Sequence, residues 1–245
     1  MRERIVQLTI VDDYEALSRA GADLMADLIE ARPDASIILA TGETPLGLYR
    51  ELAERRRRGE LDVSRARFFQ LDAYMGLGPD DRRSLYGWMK RSVLDPLDVP
   101  EANVVRLPGD APDIQAACRA YDAAVRAAGG IDLAVLGLGP NGHLGFNEPP
   151  ADPASPTRAL DLTEESIVSN ARYWGGRDEV PRRALTAGLS VLLAARGTLL
   201  VVSGAHKNAI LRRTVEGPII PDVPASYLQG AANVTVLADK AAWGE

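Results

Sequence analysis

Four short runs of aliphatic and β-branched residues, each bounded by Gly, Pro or Asp, constrain this chain more than any other feature. They are Ser36 to Thr41, Arg67 to Leu71, Ile131 to Gly137 and Gly197 to Ser203. Runs of this kind suit strands buried on both faces of a parallel sheet. Weaker strand candidates are Ile5 to Ile10, Asn103 to Leu107 and Asn233 to Leu237. Amphipathic helical patterns lie between them, near Asp13–Glu30, Pro45–Arg58, Ser84–Leu94, Asp113–Ala128, Pro181–Ala195 and Ala205–Glu216. Strand then helix, repeated, predicts an α/β fold: a doubly wound, mostly parallel, Rossmann-like sheet with helices on both faces and right-handed crossovers.

No internal repeat or Pro/Gly/Ser-rich linker divides the 245 residues, so residues 1–245 are expected to form a single domain. The formal net charge of -6 disfavours a general nucleic-acid binder. Cys118 is the only cysteine, which excludes an intramolecular disulfide and any multi-cysteine metal site. No apolar run approaches the roughly 20 residues that a bilayer span needs, and the opening Met-Arg-Glu-Arg-Ile-Val turns polar too soon for a signal peptide. A cytoplasmic protein is expected, with no membrane partner, no metal and no cofactor.

In doubly wound sheets ligands collect at the carboxyl ends of the strands, near the point where strand order reverses. Four such ends carry unusual residues. The first is Thr41-Gly42-Glu43-Thr44-Pro45, where Thr44 is placed to cap a helix and Pro45 fits its first turn. A tight turn into a helix N-terminus presents free N–H groups and a positive dipole end to a phosphate. A plain strand-to-helix turn explains the same residues, and no Gly-Lys-Ser/Thr follows to make a nucleotide loop. The second is Asp72, delivered by Phe68-Phe69-Gln70-Leu71. It is a candidate general base or, equally, a helix cap or a salt-bridged structural acid. The third is Lys207, after Ser203-Gly204-Ala205 and one of only three lysines in the chain. Its ammonium suits a phosphate held by the first loop, and an ordinary surface lysine is the alternative.

The fourth and densest is Gly137-Leu138-Gly139-Pro140-Asn141-Gly142-His143-Leu144-Gly145-Phe146-Asn147-Glu148-Pro149. Its glycines imply tight turns and close backbone approach to a ligand. His143, with Glu148 five residues on, reads as a proton shuttle oriented by a carboxylate, or as a satisfied structural histidine. The Gly137-x-Gly139-x-x-Gly142 spacing is not a dinucleotide site, because Pro149-Pro150 breaks the chain where a helix should follow.

Taken in order, these segments resemble the glucosamine-6-phosphate deaminase (isomerase) family, which is related to the 6-phosphogluconolactonases. The likeness runs from Leu39-Ala40-Thr41-Gly42-Glu43-Thr44-Pro45-Leu46-Gly47-Leu48-Tyr49 through Leu71-Asp72-Ala73-Tyr74 and the His143 loop. It continues through Ser169-Asn170-Ala171-Arg172-Tyr173 and Pro181–Gly188, similar to the start of a family helix, to Pro224-Ala225-Ser226-Tyr227-Leu228. The tail Gly-His-x-x-Phe-Asn-Glu-Pro is closer to the deaminases than to the lactonases.

The resemblance implies conversion of a 2-amino-2-deoxyhexose 6-phosphate, of glucosamine or galactosamine type, to a ketohexose 6-phosphate and ammonia. On that reading Thr41, Gly42, Glu43, Thr44, Arg172 and Lys207 hold the phosphate. His143, supported by Glu148, opens the ring, and Asp72 moves a proton from C2 to C1. The chain departs from the family at Asn141, where deaminases usually have Asp, and at Ala73, where Glu is common. A neutral amide at residue 141 orients His143 but stabilises imidazolium less than a carboxylate. The alternatives are a sugar-phosphate lactone hydrolase and a catalytically silent sugar-phosphate-binding regulator. A homo-oligomer is allowed, Tyr227 is expected to pack rather than line the pocket, and motion of Ser155–Gly176 as a lid is left open.

Overall fold

The computed structural model describes residues 6–245. Seven strands form one parallel sheet: β1 (Val6–Val11), β2 (Ser36–Leu39), β3 (Arg67–Gln70), β5 (Val104–Val105), β6 (Leu133–Gly137), β9 (Thr198–Val202) and β10 (Val234–Asp239). Their order is β1-β10-β9-β6-β2-β3-β5. Each corresponds to one of the seven strand candidates; of the candidate Ile5 to Ile10, Ile5 lies outside the described residues. Eight α-helices accompany the strands: α1 (Tyr14–Ala31), α2 (Glu43–Arg57), α3 (Leu85–Met89), α4 (Ile114–Ala127), α5 (Glu164–Trp174), α6 (Leu189–Leu193), α7 (Asn208–Val215) and α8 (Lys240–Trp243).

Period-two alternation along the strands feeds two cores. Ile37, Leu39, Phe68, Val135, Leu199 and Val201 pack with α1 and α2 on one face of the sheet. Ile38, Phe69, Leu136, Leu200 and Val202 pack with α4, α6 and α7 on the other. Strands with apolar residues on both faces have to be covered on both faces, which is the physical reason for the doubly wound layers. Asp13 starts α1 by accepting the Ala16 N–H at 2.8 Å, and Asp113 does the same for α4 with Ala116 at 2.9 Å.

A second, antiparallel sheet of order β4-β8-β7 sits beside the first. Its strands are β4 (Asp72–Tyr74), β7 (Arg158–Asp161) and β8 (Arg183–Thr186). This corrects the helical reading of Pro181–Ala195: residues 183–186 are extended, and only Leu189–Leu193 are helical. Leu185 is paired with Ala73 on one side and Ala159 on the other, so ladder hydrogen bonds override local helical preference. Ser84–Leu94 forms α3 followed by a π-turn over Lys90–Leu94. Helix α5 corresponds to none of the amphipathic patterns. Among the described residues, no helix is long and apolar enough to cross a membrane.

Candidate active site

Strand order reverses between β2 and β6: the chain leaves β2 toward β3 and β5, then returns to the other side of β2 with β6, β9 and β10. The four strand ends singled out by sequence therefore belong to adjacent strands, β3-β2-β6-β9, and their loops open at one edge of the sheet.

The β2 end leads to Gly42, whose φ of 109° is open to glycine and strained for other residues. Gly42, not Thr44, is the residue preceding α2, and the helix begins at Glu43 with no side-chain cap. Thr44 lies two residues past the cap position, while Pro45 stays in the first turn, where a missing N–H costs nothing. Tyr14 of α1 braces this turn: its hydroxyl donates to Glu43 O at 2.8 Å and accepts the Gly47 N–H at 2.9 Å. The Glu43 side chain leaves the loop for Arg172 of α5, with Oε2 3.1 Å from Nη2.

The β3 end does not stop at Asp72, which is instead the first residue of β4, where the chain passes to the second sheet. Gln70 fixes that turn by donating from Nε2 to Asp72 O at 2.7 Å and accepting the Leu107 N–H at 3.0 Å. The Asp72 side chain is buried, and its Oδ1 has no hydrogen-bond partner. Burial pushes the carboxyl up to about 7. Among the described residues no cation pairs with it, and it caps no helix, being the first residue of β4.

The β6 end carries the His143 loop. A Cβ on Gly139 would come within 2.2 Å of the His143 ring, so the imidazole rests on bare backbone. Its Nδ1 is buried without a partner. Burial, and then the Lys207 charge, pull the imidazole down to about 4, so at neutral pH the ring is uncharged. Asn141 does not reach the ring: its Oδ1 accepts the His143 backbone N–H at 3.2 Å, and its Nδ2 donates to Glu165 at 3.1 Å. Glu148 is likewise not bonded to His143. Its Oε2 accepts the Thr163 N–H at 2.7 Å, and its Oε1 is a second buried atom without a partner.

The β9 end turns through Ala205–Lys207, and Asp239 holds that turn by accepting the Gly204 N–H at 3.1 Å. Lys207 Nζ donates to Leu138 O at 2.6 Å, which brings the lysine onto the His143 loop. Its pKa is lowered, chiefly by burial and further by the Arg172 charge.

Three supporting residues escaped the sequence reading. Asn147 ties the loop to the second sheet: Nδ2 donates to Leu144 O at 2.9 Å and Ala187 O at 2.8 Å, and Oδ1 accepts from Arg158 at 2.8 Å. Thr186, opposite Asp72 in the β4–β8 ladder, accepts the Phe146 N–H at 3.1 Å through Oγ1. Tyr74 lies under the field of both Asp72 and Glu148. Asn147 and Thr186 fall inside quoted motifs, and only β8 shows why they belong together. Tyr227 packs, as expected, with its hydroxyl on Ala151 O at 3.1 Å. Among the described residues, no group of three or more His, Cys, Asp or Glu side chains is placed to share a metal ion.

Residues 12–237 match the family model described as glucosamine-6-phosphate isomerases/6-phosphogluconolactonase. A glucosamine-6-phosphate deaminase from Halothermothrix orenii is 40% identical over 237 residues, covering 97% of this chain and 98% of that protein. One from Rhodopirellula baltica is 42% identical over 239 residues, covering 97% and 95%. The solved structure of a monomeric glucosamine-6-phosphate deaminase superposes with a TM-score of 0.95 at 37% identity, covering 97% of this chain and 99% of that one. A 6-phosphogluconolactonase from Trypanosoma brucei shares the fold, with a TM-score of 0.76 at 20% identity over 96% of this chain and 97% of that one.

Proposed function

We propose, from the premise that this chain belongs to the family of glucosamine-6-phosphate isomerases and 6-phosphogluconolactonases, that it is an amino-sugar-phosphate deaminase. Its reaction converts a 2-amino-2-deoxyhexose 6-phosphate and water to a ketohexose 6-phosphate and ammonia. The observation that carries this reading is a pair of unpartnered buried atoms on loops of neighbouring strand ends, Oδ1 of Asp72 and Nδ1 of His143, with Lys207 bonded to the His143 loop.

Arg172, Lys207 and the free N–H groups at the start of α2 bind the phosphate. His143, being neutral, takes the proton from the anomeric hydroxyl and returns it to the ring oxygen, which opens the ring without a net change of charge. Asp72, raised to about 7, is matched to abstract the C2 proton near neutral pH and deliver it to C1. The resulting C2 imine takes up water and releases ammonia, and Glu148 serves the proton transfers with its free Oε1. The same reading takes the chain as one domain, because both sheets supply site residues, and as a monomer, like its solved relative. Glucosamine 6-phosphate is the favoured substrate, since the deaminases at about 40% identity carry that name.

The test is ammonia release from glucosamine 6-phosphate and galactosamine 6-phosphate, run side by side with hydrolysis of 6-phosphogluconolactone. Release from the glucosamine ester is expected. Ammonia from neither sugar, with lactone hydrolysis present, would replace this reading with the lactonase one. Phosphate-ester binding without any turnover would mark a silent regulator.

A further inference from the structure

The phosphate pocket contains a negative charge where a pocket for anions is least expected to have one. Arg172 of α5 and Lys207 after β9 are the two cations assigned to the phosphate, and Arg172 is among the causes that lower the lysine's pKa, after burial. Lys207 donates to a neutral carbonyl, Leu138 O. Arg172 instead meets an acid, Glu43, at 3.1 Å. The same carboxylate acts on the Tyr173 phenol, and Arg172 also stacks on that ring, its guanidinium carbon 4.6 Å from the centroid. Glu43 is the first residue of α2, so its backbone N–H belongs to the anion cradle while its side chain neutralises the opposing cation.

We propose that the Glu43 carboxylate is a built-in counter-ion, occupying Arg172 while the pocket is empty and displaced from it by the substrate phosphate. This rests on the reading of the pocket as a phosphate site and adds an affinity-setting residue to it. Glu43 is thereby not a phosphate ligand through its side chain. It competes for Arg172, and once displaced it stays beside a phosphate of like charge. It also links α2 to α5 across the mouth of the site, so arrival of a phosphate exchanges that bridge for one through the ligand. The paired side chains are about two-thirds exposed, at 64% for Arg172 and 67% for Glu43. Exchange is therefore fast and the energy involved is that of a surface ion pair.

The experiment measures inorganic phosphate binding by calorimetry, and KM for glucosamine 6-phosphate, on the wild type, Glu43→Gln, Arg172→Gln and the double variant. Glu43→Gln is expected to tighten phosphate binding and lower KM by about two- to fivefold at low salt. The gain shrinks as ionic strength rises and vanishes when Arg172 is also replaced. Unchanged or weaker phosphate binding in Glu43→Gln overturns the proposal, as does an equal gain in the Arg172→Gln background. If the wild type itself shows no saturable phosphate binding, the phosphate reading falls and the counter-ion with it.

Discussion

The backbone N–H of Thr163 donates to Oε2 of Glu148 at 2.7 Å, so the residue that caps α5 also fixes the carboxylate closing the His143 loop. One carboxylate oxygen is thus committed to structure, and the other is buried without a partner. Replacing Glu148 by Gln keeps an acceptor for Thr163 and removes only the charge. The expected result is an unchanged unfolding midpoint with kcat lowered by about two orders of magnitude. A variant that loses stability and activity together would instead assign Glu148 a structural task.

For Asp72→Asn, kcat/KM is expected to fall by about two to four orders of magnitude, the usual span for a lost general base. Exchange of the C2 hydrogen with solvent should disappear with it. In the wild type kcat/KM should rise with pH through about 7, where Asp72 ionises. Deuterium incorporation read by NMR decides the matter. Exchange persisting in the variant would remove Asp72 from the proton shift.

Stability should respond to pH through two opposed titrations. Asp72 ionises near 3.9 unfolded and near about 7 folded, so between those values the fold holds a proton that the unfolded chain has lost. Its contribution makes stability fall as pH rises from about 4 to about 7. His143 is the reverse, about 4 folded against 6.5 ordinarily, so its contribution makes stability rise over that interval. Each amounts to something on the order of 3 kcal/mol, and together they nearly cancel. Urea unfolding between pH 4 and 8 should therefore be almost flat for these two groups in the wild type. It should rise with pH in Asp72→Asn and fall in His143→Asn. Parallel curves for all three proteins would contradict the assignment.

Asn147→Ala strips partners from Arg158, Leu144 O and Ala187 O at a residue with no exposed surface. Breaking such a buried network should cost about 2–4 kcal/mol, seen as a loss of roughly 5–15 °C in Tm. A drop within a degree or two would show that the loop is held elsewhere.

Lys207→Gln should raise KM for the sugar phosphate at least tenfold and weaken competition by inorganic phosphate. Arg at this position is not expected to restore it, because the compact ammonium fits 2.6 Å from Leu138 O where a planar fork does not. Full rescue by Lys207→Arg would count against that geometry.

The parallel sheet was legible because strands such as Ile37-Ile38-Leu39 and Leu199-Leu200-Val201 are apolar on both faces, a signal that needs no knowledge of partners. The small sheet was not. Asp72-Ala73-Tyr74 and Arg183-Ala184-Leu185-Thr186 are short and of mixed polarity, and only their pairing with each other makes them strands. The same divide runs through the site. The rare residues at strand ends, His143 and Lys207 among them, stood out against a chain with two histidines and three lysines. The side-chain partners did not follow. Glu43 meets Arg172 and Asn141 meets Glu165, 129 and 24 residues apart in sequence, and α5, which carries both partners, was not among the helical patterns.

The imidazole of His143 lies where the side chain of residue 139 would be if it had one. A Gly-to-Ala change is a single-base step in the codon, and here it adds one carbon inside the ring's own volume. With His143 opening the ring as proposed, a chain like this one is one inherited substitution from losing turnover.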